Sequence, residues 1–161
     1  RTDPSNFVTL ERDVPTQHQG MELVFTGVEV LSADEEGYGY RIGDGYVGVV
    51  IEARDDGGSL LGTITPGMLR FDSPSGMVSA RSEVDRLTGA TGDTIVILDL
   101  LQSNELLSSM ILGQTEDVSE VRVTLHRLQG SHLVWAGWLM VVIGSAFASL
   151  PRRVTEPSED E

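Results

Sequence analysis

Tyr46–Thr65 reads YVGVVIEARDDGGSLLGTIT, and this stretch decides the fold class. Its first arm, Tyr46–Ala53, is dense in valine and isoleucine, which lose rotamer freedom in a helix but pack well on a pleated surface. Asp55-Asp56-Gly57-Gly58 supplies residues that tolerate the tight backbone of a two-strand turn, and Leu60–Thr65 returns beside the first arm. The stretch predicts a β-hairpin. Downstream, Pro66-Gly67 turns into a strand over Met68–Phe71, and DSPSG at Asp72–Gly76 turns again.

Upstream, the acidic, glycine-rich stretch Asp34–Gly45 reads as a loop or long hairpin turn, preceded by a strand over Met21–Leu31 and another over Leu10–Val14. Met21–Leu31 has mixed parity: Leu23 and Phe25 fall on one side, Val24, Val28 and Val30 on the other. Ser79–Thr88 fits a short helix or a loop strand. Asp93–Leu101, DTIVILDLL, reads as a buried strand by its unbroken apolar content, and Asn104–Leu112 as a two-turn helix or a further strand. Val121–Leu128 alternates cleanly, with Val121, Val123 and Leu125 on one face and Arg122, Thr124 and His126 on the other. Five to eight strands with short turns predict a mainly β fold, a small barrel or sandwich-like domain over residues 1–130.

The second organising signal is Leu133–Leu150, LVWAGWLMVVIGSAFASL, which carries no charged residue. As a helix it is about 27 Å long, close to a hydrocarbon core of roughly 30 Å. Trp135 and Trp138 stand where amphipathic rings favour the interface, and Arg152-Arg153 follows the other end. Those flanks predict a transmembrane helix over 133–150, an extracytoplasmic β domain and a cytoplasmic C-terminus. The acidic tail 151–161 is expected to be disordered. The chain begins at Arg1 with no charged-then-apolar leader, so a preceding segment is expected.

Twenty-five acidic residues against 11 basic ones leave a net charge of −14, and every basic residue is arginine. Such a surface repels phosphate, which excludes nucleic acid as a partner, and suits concentrated salt, as in a halophile. With no cysteine, thiolate metal sites, disulfides and thiol catalysis are excluded. No nucleophile–base pair, phosphate loop or calcium loop stands out; Asp34-Glu35-Glu36 and Asp55-Asp56 read as solvated turns. His18 reads as a solvated loop residue. His126 and His132 are spaced by six residues across a strand-to-helix junction and read as polar residues near the membrane boundary. No catalytic or metal-ligating residue is assigned, and the chemistry reads as that of a binding or assembly domain.

Several features recur in a particular order: Tyr46–Ala53, Asp56-Gly57-Gly58, Pro66, Arg70-Phe71, Ser82-Glu83, Asp93–Leu98 and Val121-Arg122-Val123, then Trp135-x-Gly137 and Gly144-Ser145 before Arg152-Arg153. In that order they resemble the C-terminal segment of the CcmF family of cytochrome c maturation proteins, over residues 20–153. The sequence departs from that pattern at Ser131-His132-Leu133, where the family has Pro and a second Trp, at Ser82 in place of Thr, and in the apparent insertion Asn104–Val118. The resemblance implies a parent protein in the haem lyase complex that attaches haem to apocytochrome c, here from a halophilic archaeon. It implies haem as the parent's cofactor, and apocytochrome c, other maturation subunits and membrane lipid as partners. The family's haem ligands lie on earlier segments, so this piece would be a non-catalytic scaffold, with His126, His132 and Trp135 as its haem-proximal candidates. A different reading of the same features is a single-pass anchored β domain for extracellular protein interaction.

Overall fold

The computed structural model describes residues 6–89, 92–112 and 114–149, without the side chains of 110, 111 and 131. The tail 151–161 lies outside the described residues. The chain divides after Gln129 into two units.

In the first unit every strand ladder among the described residues is antiparallel. In chain order its strands are β1 Phe7–Glu11, β2 Thr16–His18, β3 Met21–Ser32, β4 Gly45–Arg54, β5 Leu60–Ile64, β6 Gly67–Asp72, β7 Val78–Glu83, β8 Asp85–Gly89, β9 Gly92–Leu98 and β10 Glu120–Gln129. Helix α1, Leu100–Leu112, connects β9 toward β10. One sheet has the order β1-β10-β9-β8; the other runs β2-β3-β4-β6-β7, with β5 beside the far half of β4. Their inner faces share one core, to which Leu10, Leu98, Val121 and Leu125 come from the first sheet and Leu23, Phe25, Val49 and Ile51 from the second. Leu106 of α1 is buried in the same core. No ladder joins β5 to β8 among the described residues, so the unit is a sandwich rather than a closed barrel.

The hairpin Tyr46–Thr65 forms as read, with Ile51 opposite Ile64 and Asp55 Oδ1 accepting from the Gly57 and Ser59 amides at 2.9 and 2.8 Å. The mixed parity of Met21–Leu31 has a structural cause. The β3–β4 register shifts between Phe25 and Gly27, so one residue is bulged and the inward face changes parity. Leu23 and Phe25 point inward before the bulge; Val28, opposite buried Val49, packs on the core after it. Thr26 Oγ1 donates to the Val50 carbonyl at 3.2 Å, tying the bulge down.

Three boundaries differ from the sequence reading. The strand expected at Leu10–Val14 is instead Phe7–Glu11, because the backbone breaks at Asp13, which has φ +60°. Ser79–Thr88 forms neither a helix nor one strand: it divides at Val84 into β7 and β8, which belong to different sheets. Asp93–Leu101 stops at Leu98, because Asp99 opens α1, which resolves Asn104–Leu112 as helix.

Outside the main core, the loop between β3 and β4 folds back and buries Tyr38, which joins Tyr46 and Leu69 in a second apolar cluster. Tyr46 lies fully buried over Gly48 and Gly67 with its hydroxyl donating to the Thr65 carbonyl, and the Arg41 guanidinium caps its ring at 4.3 Å. Arg41 Nε also pairs with Glu83 at 3.1 Å, fastening the loop to β7.

Burial pushes the Tyr46 hydroxyl up to about 12 and raises that of Tyr38 as well. A phenol whose folded value lies above its ordinary value of 10.0 gives stability that is complete below pH 10 and is lost as pH rises through the folded value. Urea denaturation should therefore show stability falling from pH 10 to 12, by about 2 to 3 kcal/mol for Tyr46. Tyr46→Phe should lose about 1 kcal/mol at neutral pH with the hydrogen bond, yet fall less steeply above pH 10, retaining the Tyr38 slope. Identical slopes in the two proteins would refute this account.

The second unit is helix α2, Ser131–Ala148, entered through Gly130 at φ +77°. Among the described residues no helix is long and apolar enough to cross a membrane.

Candidate functional site

The most organised surface is the outer face of the β1-β10-β9-β8 sheet, and it is organised by Asp99. This residue lies between β9, which ends at Leu98, and α1, which begins at Leu100. Its Oδ1 accepts from the Leu101 amide at 2.9 Å, satisfying a donor that a helix start leaves open, and its carbonyl accepts from the Ser103 amide and hydroxyl at 2.8 Å each, the amide making the first bond of the helix. Its Oδ2 accepts from Arg122 Nε at 2.6 Å and pairs with Nη2. Arg122 in turn lies over the Phe7 ring, 5.6 Å from its centroid, and its amide donates to Gln102 Oε1 on α1. A helix start, two strands and an aromatic ring are thus tied through one carboxylate.

Beside this network lies a cleft of about 340 Å³ lined by Phe7, Ile97, Leu100, Arg122, Thr124 and His126. His126 stands opposite Ile95 on β9, which stands opposite Arg86 on β8, so imidazole, aliphatic chain and guanidinium form one row across the sheet. The outward direction of His126 agrees with the alternation of Val121–Leu128. His126 also lines a second depression with Asn6, Gln19 and Leu128. There Gln19 Nε2 donates to Asn6 Oδ1 at 3.3 Å, while Gln19 Oε1 is buried without a partner among the described residues.

A polar cleft of about 430 Å³ lies between α1 and the segment leading into β10, with Glu105, Asp117 and Glu120 on its walls. Among the described residues no group of three His, Asp or Glu side chains could hold a metal ion.

His126 lies in the sandwich, whereas His132 and Trp135 lie in α2, where Trp135 is exposed. Within the sandwich His126 has aliphatic and arginine neighbours across the sheet rather than a second imidazole. His18 departs from its reading as a solvated residue: it ends β2 half-buried, its Nε2 is buried without a partner among the described residues, and burial lowers its pKa.

The network residues Asp99, Gln102 and Arg122 were missed as a group by sequence reasoning. A signal for Asp99 existed, an aspartate two residues before the first helical turn's Leu101 amide, but the apolar run around it reads equally as continuing strand.

No family model, no curated protein and no solved structure matches this chain.

Proposed function

We propose that this chain is the membrane-anchored end of a haem lyase component of the cytochrome c maturation type, with the β-sandwich as extracytoplasmic scaffold and α2 in the bilayer. The observation that carries the anchor is the exposure of α2 on every side, from Leu133 at 74% to Phe147 at 70%. A helix apolar all round belongs in a protein core or in lipid. The 18 residues of α2 reach about 27 Å, short of a core of roughly 30 Å. The uncharged sequence runs on through Ser149 and Leu150, and a bilayer absorbs small deficits by thinning. Arg152-Arg153 orients the C-terminus to the cytoplasm.

The haem lyase assignment is supported by the ordered features from Tyr46 through Gly144-Ser145. In this reading the sandwich contacts apocytochrome c or partner subunits, and haem handling falls to the rest of the parent protein. A general interaction module on a single anchor would present the same sandwich and the same helix.

One experiment separates the two. Residues 6–129 are deleted from the parent gene in its own cell, membrane accumulation of the shortened protein is checked by immunoblot, and c-type cytochromes are stained for covalent haem. Loss of stained cytochromes with the shortened protein present is the expected result. Normal staining would reject the haem lyase scaffold and leave the interaction module.

A further inference from the structure

We propose that the cleft where α1 begins, on the outer face of the β1-β10-β9-β8 sheet, binds a small carboxylate with a compact apolar body, of the arylacetate kind. This goes beyond the haem lyase reading and does not depend on it.

Thr124 carries the argument. Its side chain lines the cleft and is only 7% exposed, yet its hydroxyl makes no hydrogen bond among the described residues. Buried hydroxyls are nearly always partnered, and the open side of this one is the cleft. Three further donors lie around it. His126, two residues along β10 on the same face, has an imidazole without a partner among the described residues. Arg122 engages Asp99 through Nε and Nη2 and leaves Nη1 uncommitted. Leu100 opens the 13-residue helix α1, so its amide has no acceptor within the helix, and the Asp99 side chain caps the Leu101 amide instead. Partial positive charge at a helix start adds to these donors.

The groups that line the cleft, rather than the net charge of the chain, select an anion. Asp99 is the one carboxylate among them. Both its oxygens are engaged, Oδ1 by the Leu101 amide and Oδ2 by Arg122. Hydroxyl, imidazole, guanidinium and amide remain, and each can donate to a carboxylate. Beyond the lining, Arg86 shares a row with His126 and lies 3.7 Å from Asp93, while Glu11 and Glu120 face each other two positions past Thr9 and Arg122. The walls define the body of the ligand. Phe7, Ile97 and Leu100 are apolar, and Phe7 and Leu100 are 37% and 69% exposed. A space of about 340 Å³ stands at the small end of ligand clefts, enough for one ring on a short arm. Because Asp99 already offsets the charge of Arg122, affinity rests on the hydrogen bonds and the apolar contact, and it is modest.

The test titrates the full chain, in nonionic detergent micelles, with phenylacetate in 1 M NaCl, where a Debye length of about 3 Å screens the −14 of the whole chain. NMR should show saturable shifts at Ile97, Leu100, Thr124 and His126, with a Kd of about 1 mM. Thr124→Val keeps the shape of the strand and removes the hydroxyl; His126→Gln changes a half-buried side chain at the rim. Each should weaken phenylacetate by about tenfold while the thermal midpoint of the sandwich stays within a few degrees of wild type. Neutral 2-phenylethanol and acetate, which lacks the apolar body, should each bind at least tenfold more weakly than phenylacetate. Equal affinity for 2-phenylethanol would reduce the cleft to an apolar patch, and equal affinity for acetate would leave an adventitious ion only; either result overturns the proposal. So do phenylacetate shifts that do not saturate, that fall on other residues, or that persist unchanged in both variants.

Discussion

Gly67→Ala is expected to destabilise the sandwich by about 3 kcal/mol or more, at the upper end of what overpacking causes. A methyl group at this position would meet the Val47 carbonyl oxygen, sit 2.6 Å from Gly48 Cα and 2.8 Å from Tyr46 Cε2. Two of these are backbone atoms of the neighbouring strand, so no side-chain rotation relieves the contact. β4 and β6 would have to separate where Gly48 stands opposite Gly67, and Tyr46 would lose the flat seat that lets its hydroxyl reach Thr65. The second apolar cluster of Tyr38, Tyr46 and Leu69 would open with it. For a unit of this size the thermal midpoint should fall by about 10 °C or more. Gly37→Ala is the control, because its added methyl meets Leu31 Cδ2 at an ordinary 3.5 Å. Circular dichroism melts of both variants decide the matter; a Gly67→Ala midpoint equal to that of Gly37→Ala would mean that Tyr46 is not seated as described.

The Tyr46 seat also marks the limit of what the sequence discloses. Its strand was legible, because valine and isoleucine around a double-aspartate, double-glycine turn admit little else. The reason for Gly48 and Gly67 was not, because a glycine kept for a neighbour's ring looks like any other glycine until the register Gly48–Gly67 is known. The bulge at Thr26 is an intermediate case: the parity switch in Met21–Leu31 was visible, but its cause needed the partner strand. Ser79–Thr88 was illegible for another reason. Val84 lets one extended run serve two sheets, and sheet membership is a long-range property that no local pattern records. The outward direction of His126 was readable from alternation, whereas the Asp99–Arg122 pair joins residues 23 apart in sequence and has no local trace.

The helix α2 presents the opposite situation, since its composition speaks clearly and only its surroundings are in question. Val142→Arg is expected to release the full chain from membranes. Val142 lies near the middle of the uncharged run Leu133–Leu150, where an arginine raises the insertion free energy by about 2.5 to 3.5 kcal/mol, roughly a hundredfold in partitioning. Wild-type chain should remain in the pellet after alkaline carbonate washing of membranes, and the Val142→Arg chain should appear largely in the supernatant. Packing against helices of other chains would also make an arginine unfavourable, so a second measurement is needed. Trp135 and Trp138 are 72% and 64% exposed and are the two tryptophans of the chain, which makes their fluorescence specific for the start of α2. Lipids brominated near the headgroup should quench it more than lipids brominated at the chain ends, because amphipathic rings settle at the interface. Quenching of that pattern together with carbonate resistance in the wild type places α2 in lipid. Absence of quenching by either lipid, or extraction of the wild type by carbonate, would instead assign the apolar surface of α2 to contacts with protein and withdraw the anchor.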